Sequence, residues 1–276
     1  MAYLARSPLK VILFGEHGVL SGARCLAISI KIYGYLAMKP SPRDKAVVID
    51  GEGNYIDLIE KYKCSIPGSD AILFLEASLG CGLGTSAAVS LLLSYGRVQD
   101  SKMTREALAI ENMFHGKASG VDVLACYTGG LISFKQGNVQ KLSTRHLSRF
   151  KILIFNSRIP KNTQSAIQVG ELKKELYDEI GKISEEAYWL LQREFTLEEL
   201  YKLIRKSQDL LDELGVCPRE MREVVRRMRD IGVEVKITGA GCGGHLVTVV
   251  NKDLEIPGWT PVSIDLQGFY IFDTEC

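Results

Sequence analysis

Apolar and β-branched residues run together or alternate over 9–14 (LKVILF), 26–38 (LAISIKIYGYLAM), 46–50 (AVVID) and 71–75 (AILFL), which predicts four strands. At Thr85 the pattern lengthens to a helical period through AAVSLLLSYGRVQ. A second helix is expected over 104–115, stopped by Gly116. Strand character returns at 130–134 (GLISF) and 151–155 (KILIF). Beyond that, Ile167, Leu172, Leu176, Ile180, Ile183, Ala187 and Leu190 recur at near-helical spacing and predict one long amphipathic helix over 164–192. Two further helices follow, over 197–214 closed by Gly215 and over 219–231 closed by Gly232. The chain then reads as strands at 233–238, 245–250 and 268–272. Mixed strands and helices, then helices followed by strands, predict two α+β units: residues 1–147 and residues 148–276.

Composition changes this picture little. The 276 residues are 46% hydrophobic and 24% charged, enough to bury about three quarters of the unfolded surface without a disulfide or structural metal. A net charge of +1 argues against nucleic acid as the main partner. Arg219, Arg222, Arg226 and Arg229 share a helix face, but Glu220, Glu223 and Asp230 interleave with them and make it a solvated surface. The seven cysteines are scattered, with no CxxC and no zinc spacing, so they read as reduced thiols. With no secretory pattern in MAYLARSPLKVILFGEHG, a cytoplasmic setting is expected. Residues 77–96 carry no charge, yet Gly80, Gly82 and Gly84 break them, so no membrane span is expected.

Three constellations carry candidate chemistry. Gly80-Cys81-Gly82-Leu83-Gly84-Thr85-Ser86 lies between a strand and a helix, where glycines admit a ligand closely and the helix N-terminus attracts an anion, above all phosphate. It is neither a Walker A loop nor GxGxxG. The alternative is a flexible turn with Thr85 or Ser86 as the cap. The second constellation is ENMFHGKASGVD, with Glu111 and His115 one helical turn apart and Asp122 following. Here Ser119-x-x-Asp122 is also a capping-box pattern, which explains Asp122 without chemistry. The third, Gly239 to Gly244, contains GxGxxG but precedes a strand, so the dinucleotide reading fails. It reads better as a loop supporting a second phosphate or the neighbouring loop.

Taken in order, these segments resemble the GHMP small-molecule kinases. Ser7 to His17 (SPLKVILFGEH), Gly80 to Ala88 (GCGLGTSAA) and Lys236 to Gly244 (KITGAGCGG) are similar to that family's three motifs and span nearly the whole chain. Gly18 to Gly22, His115 to Asp122, Pro160 to Thr163 and the Gln208 to Val216 helix look most like the branch that phosphorylates mevalonate. Departures fall at Ser78, Thr85, Ala118, Cys242 and His245.

The resemblance implies an α+β fold with an N-terminal domain like ribosomal protein S5 domain 2 and a ferredoxin-like C-terminal domain. It implies transfer of the γ-phosphoryl of ATP to the primary hydroxyl of mevalonate, with Mg²⁺. Homoserine or phosphomevalonate as the acceptor, and a silent nucleotide-binding relative, remain alternatives. Gly80, Gly82, Leu83, Gly84, Thr85 and Ser86 would hold the phosphates, Ser86 and Glu111 the metal. Asp122 would be the base and Lys10 its electrostatic partner; Glu16, His17 and Thr163 would contact mevalonate. No nucleic acid or membrane partner is implied, and a homodimer is a candidate assembly.

Overall fold

The computed structural model describes residues 4–116, 118–159 and 174–272. Chain order in the first unit gives strands β1 (Ala5–Phe14), β2 (Cys25–Pro40), β3 (Lys45–Ile49), β4 (Tyr55–Asp57) and β5 (Ser69–Leu75). Strands β6 (Leu131–Lys135) and β7 (Asn138–Leu142) complete this stretch. Helix α1 (Leu58–Tyr62) lies in the β4–β5 connection. Helices α2 (Thr85–Tyr95), α3 (Asp100–His115) and α4 (Val121–Thr128) fill the β5–β6 connection. The second unit runs β8 (Lys151–Asn156), α5 (Lys174–Leu191), α6 (Leu197–Leu214), α7 (Arg219–Asp230), β9 (Lys236–Ile237), β10 (His245–Val250) and β11 (Thr260–Val262). A last strand, β12 (Tyr270–Ile271), returns to the first sheet.

The first sheet has the path β12-β1-β2-β5-β3-β4, and the sixteen-residue β2 is long enough to pair β5 at one end and β6 at the other. Among the described residues of this sheet only β3 and β5 pair in parallel. The second sheet is antiparallel throughout, in the order β11-β8-β10-β9. Counted within that unit the order is 4-1-3-2, the arrangement expected of a ferredoxin-like domain, with its described helices all lying between the first and second strands.

Position β1 occupies the centre of the molecule because both its faces are covered. Leu9, Val11 and Leu13 pack into a core shared with Ile183, Ala187 and Leu190 of α5 and Val247 and Val249 of β10. Ile12 points the other way, into a cluster with Val121 and Ala125 of α4. This alternation is the period of two that a strand imposes, and it aims Lys10 at α4 as well.

Several expectations are corrected. The predicted strand over 233–238 shrinks to Lys236–Ile237, although its neighbours are buried. The predicted 268–272 strand belongs beside β1, so the chain recrosses the division at 147/148. Ile264 bridges Ile30 of β2, and Asp265 accepts from Tyr33 Oη at 2.8 Å and from the Gly268 amide at 2.7 Å. The long helix is described from Lys174 to Leu191; the earlier part of its predicted range lies outside the described residues. Among the described residues, no helix is long and apolar enough to cross a membrane.

Candidate active site

Lys10 is fully buried, and its position depends on the glycine loop. Its amide donates to Leu83 O at 2.9 Å on the edge of β1 that β2 leaves open. Its side chain then passes under Gly84. A Cβ at Gly84 would lie 2.7 Å from Lys10 Cε, and φ there is +75°, so both space and backbone demand glycine. Lys10 Nζ ends 2.9 Å from Asp122 Oδ2. Burial opposes the lysine's charge, but the Asp122 carboxylate outweighs it and leaves the pKa above the ordinary value.

The N-cap of α2 is Gly84, with no side chain capping it, which corrects the Thr85 or Ser86 alternative. Thr85 turns its hydroxyl back to accept from the Gly80 amide at 2.9 Å and so holds the loop closed. The amides of the first turn lack a side-chain cap, and the dipole of an eleven-residue helix lies behind them. A helix N-terminus of this kind favours an anion.

Ser86 faces α3, donating to Glu111 Oε1 at 2.9 Å, while Ser90 one turn later donates to Oε2 at 3.2 Å. Glu111 is 3% exposed. Burial, then the nearby Asp122 charge, push its pKa up to about 7 against the two serine hydrogen bonds. A buried carboxylate short of positive charge, beside a hydroxyl, is a fitting donor set for a hard cation such as Mg²⁺. Among the described residues no cluster of three His, Cys, Asp or Glu residues forms a metal site, so phosphate oxygens would have to complete the coordination.

Asp122 sits in the first turn of α4, but the capping-box reading fails. Gly120, at φ +88°, takes the N-cap, and no side chain caps the helix. Ser119 Oγ only accepts from the Val121 amide, at 3.4 Å. Asp122 is thereby left for Lys10. The loop before it is anchored by Asn112 Oδ1, which accepts from the Ala118 amide at 2.7 Å.

Glu16 and His17 follow β1. His17 has φ +62°, an uncommon value for a non-glycine residue, and its Nε2 donates to Ala240 O at 2.8 Å. Its ring stacks near Tyr177. Glu16 Oε1 accepts from Lys236 Nζ of β9; burial raises the pKa of Glu16 and lowers that of Lys236, against their mutual attraction. Thr163 lies outside the described residues.

The third glycine segment supports its neighbour, one of the two uses expected for it. A Cβ at Gly244 would lie 2.6 Å from Cys81 O, and His245 Nδ1 donates to that same carbonyl at 2.8 Å. The Gly80–Gly84 loop is thus held from behind by the second unit. Gly80, Gly82, Gly84, Ser86, Glu111, Asp122, Glu16 and Gly239 all line one cavity of about 130 Å³. A second, of about 260 Å³, opens on the other flank of Gly80, between Asp50, Asn54 and Arg158.

The resemblance gives Lys236 a place in the third motif and no task. The signal available was period two: Lys236, Thr238 and Ala240 meet Glu16, the Ile12 amide and His17 in turn. Ser90 also went unnoticed, although it lies four residues after Ser86 on the same helix face.

The family model described as GHMP kinases C terminal matches residues 170–256. In overall structure the chain is similar to the mevalonate kinase of L. major in complex with R-mevalonate: TM-score 0.70, 22% identity, 97% of this chain and 96% of that one covered. The fold is that of the GHMP kinases. In sequence, the chain is similar to the mevalonate kinase of Archaeoglobus fulgidus, at 27% identity over 87% of this chain and 90% of that one. The GHMP kinase fold extends to other substrates. The Streptococcus pneumoniae phosphomevalonate kinase in complex with phosphomevalonate and AMPPNP has a TM-score of 0.71 at 13% identity, covering 91% of this chain and 93% of that one.

Proposed function

We propose that this chain is an ATP-dependent mevalonate kinase. The observation that carries the reading is the Lys10–Asp122 pair, 2.9 Å apart, whose Asp122 lines the same cavity as an uncapped helix N-terminus and the Ser86–Glu111 pair. Phosphoryl transfer is mostly positioning and charge stabilisation, and each component is represented here. The amides of the α2 first turn, with Gly80 to Gly84, would hold the phosphates. Ser86 and Glu111 would hold Mg²⁺, which would offset the negative charge of the phosphates. Asp122 accepts the proton of the attacking hydroxyl, since a carboxylate in that place is within reach of an alcohol on the acceptor side of the loop. Lys10 holds the Asp122 carboxylate in place through their ion pair and offsets charge on the attacking oxygen as the proton leaves.

The two cavities meet at Gly80. A triphosphate laid along the loop would therefore place its nucleoside between Asp50, Asn54 and Arg158 and its terminal phosphate towards Asp122. On the acceptor side, Glu16 suits a substrate hydroxyl, and His17 and Thr163 remain candidates for the other polar groups of mevalonate. The similarity in sequence to mevalonate kinases favours this acceptor, whereas the fold is shared with kinases of other alcohols. The test is a panel of mevalonate, phosphomevalonate, homoserine and galactose with Mg-ATP, followed by ADP release. Turnover with mevalonate well above the rest is expected. A different preferred alcohol would retire the substrate, and no turnover with any would retire the kinase reading.

A further inference from the structure

Behind the acceptor side of the cavity lies an ion pair in which the proposed chemistry gives Glu16 a task and its partner Lys236 none. Glu16 comes from the first unit and Lys236 from the second, and both side chains are 1% exposed. Lys236 Nζ donates to Glu16 Oε1 and, at 2.7 Å, to Ile237 O. Taking two charges out of water is costly unless the remaining polar atoms are also satisfied. At Glu16 they are not. Oε2 is buried and has no hydrogen-bond partner among the described residues, and Glu16 lines the cavity.

The same strand face that delivers Lys236 also fixes the wall around it. Thr238 Oγ1 accepts from the Ile12 amide at 2.7 Å, and Ala240 O accepts from His17. The segment carrying Glu16 is therefore pinned on both sides from the second unit, and its carboxylate is gripped by one oxygen. An oxygen left in a dry wall without a donor is a site for a donor. A second carboxylate cannot fill that role, and an alcohol hydroxyl can.

We propose that Lys236 is a positioning residue for acceptor recognition: it holds Glu16 by Oε1 so that Oε2 accepts a hydrogen bond from a hydroxyl of the acceptor other than the one phosphorylated. This rests on reading the cavity as the acceptor site of a mevalonate kinase, in which the second hydroxyl is the tertiary one.

The experiment compares wild type, Lys236→Met, Glu16→Gln and the double variant on mevalonate and on its 3-deoxy analogue, 5-hydroxy-3-methylpentanoate. Affinity for AMPPNP with Mg²⁺ and the melting temperature are measured alongside. Loss of one hydrogen bond to a charged group corresponds to about 10- to 100-fold, so each single variant should raise KM for mevalonate by about that factor. The value of kcat and AMPPNP affinity should change by less than about fivefold, well under the tenfold that 1.4 kcal/mol represents. The double variant should be no worse than either single one, and the wild type on the deoxy analogue should match the variants on mevalonate. Variants that still discriminate mevalonate from the deoxy analogue as the wild type does would overturn the proposal, as would losses that multiply in the double variant. Should Lys236→Met not fold, Glu16→Gln with the two substrates carries the same comparison. A wild type that prefers another alcohol retires mevalonate alone, and the pair is then read with that alcohol and its deoxy form.

Discussion

Asp122 is both the proposed base and the counter-ion of a fully buried lysine, so its replacement acts twice. Asp122→Asn should lower turnover by about 10²- to 10⁴-fold, the range for positioned acid–base catalysis. It should also lower the melting temperature, because Lys10 is left without its partner charge. Adding Lys10→Met should recover much of that temperature and none of the turnover, as calorimetry and an ADP-release assay on the pair would show; near-normal turnover in Asp122→Asn would remove the base assignment. Glu111 gives a pH signature. With its folded pKa up at about 7 against 4.5 for an ordinary glutamate, the folded state binds the extra proton between those values. The contribution of Glu111 to stability therefore falls as pH rises through that window. Ligand-free Glu111→Gln should lack this decline and be more stable than wild type at pH 8, while binding Mg-ATP more weakly. Metal affinity in the wild type should rise with pH up to about 7, since the cation and the proton compete for one carboxylate. Chemical denaturation and Mg²⁺ titration across pH 5–8 would check both slopes.

At the scale of elements, what the sequence made legible depended on local signals. Helix α6 begins and ends where predicted because Thr196 and Glu199 form a capping box and Gly215, at φ +86°, closes it. The similar pattern at Ser119 and Asp122 misleads because Gly120 can take the cap position itself. Strands β4, β7 and β11 are not legible in the sequence: they are three to five residues long and exposed or half-buried apart from Leu142, without a hydrophobic alternation to announce them. Order along the chain exposed the glycine loops, but not that one glycine makes room for a lysine on another strand. Gly84→Ala tests that packing. The left-handed backbone alone costs about 1–2 kcal/mol, and the new methyl must also displace Lys10 Cε. Lower stability together with a loss of turnover larger than the stability change explains is the expected outcome. Full turnover in Gly84→Ala would mean that Lys10 has another route to Asp122.

Across the whole molecule, the site is assembled from pieces that no window of sequence brings together: Glu16 and Lys236 are 220 positions apart. Resemblance named most members of the site, and geometry added the pairings. Returning residues 264–271 are equally long-range. Asp265 is 2% exposed and satisfies the Gly268 amide and Tyr33 hydroxyl, so Asp265→Ala should cost about 1–3 kcal/mol for each donor left unpaired. A fall in denaturation midpoint with KM values unchanged is expected, and an unchanged midpoint would mean that water replaces the carboxylate. The open edge of β1 has a consequence in time. It is met at Ala5 and Arg6 by β12, at Lys10 by Leu83 and at Ile12 by Thr238. A ribosome adding residues at about 5–20 per second makes β1 on the order of tens of seconds before the last of these partners. Through that interval a nascent apolar strand carries unpaired amides, the kind of edge on which chains aggregate. Yield in a cell should therefore depend on chaperone supply more steeply than the stability of the finished protein suggests.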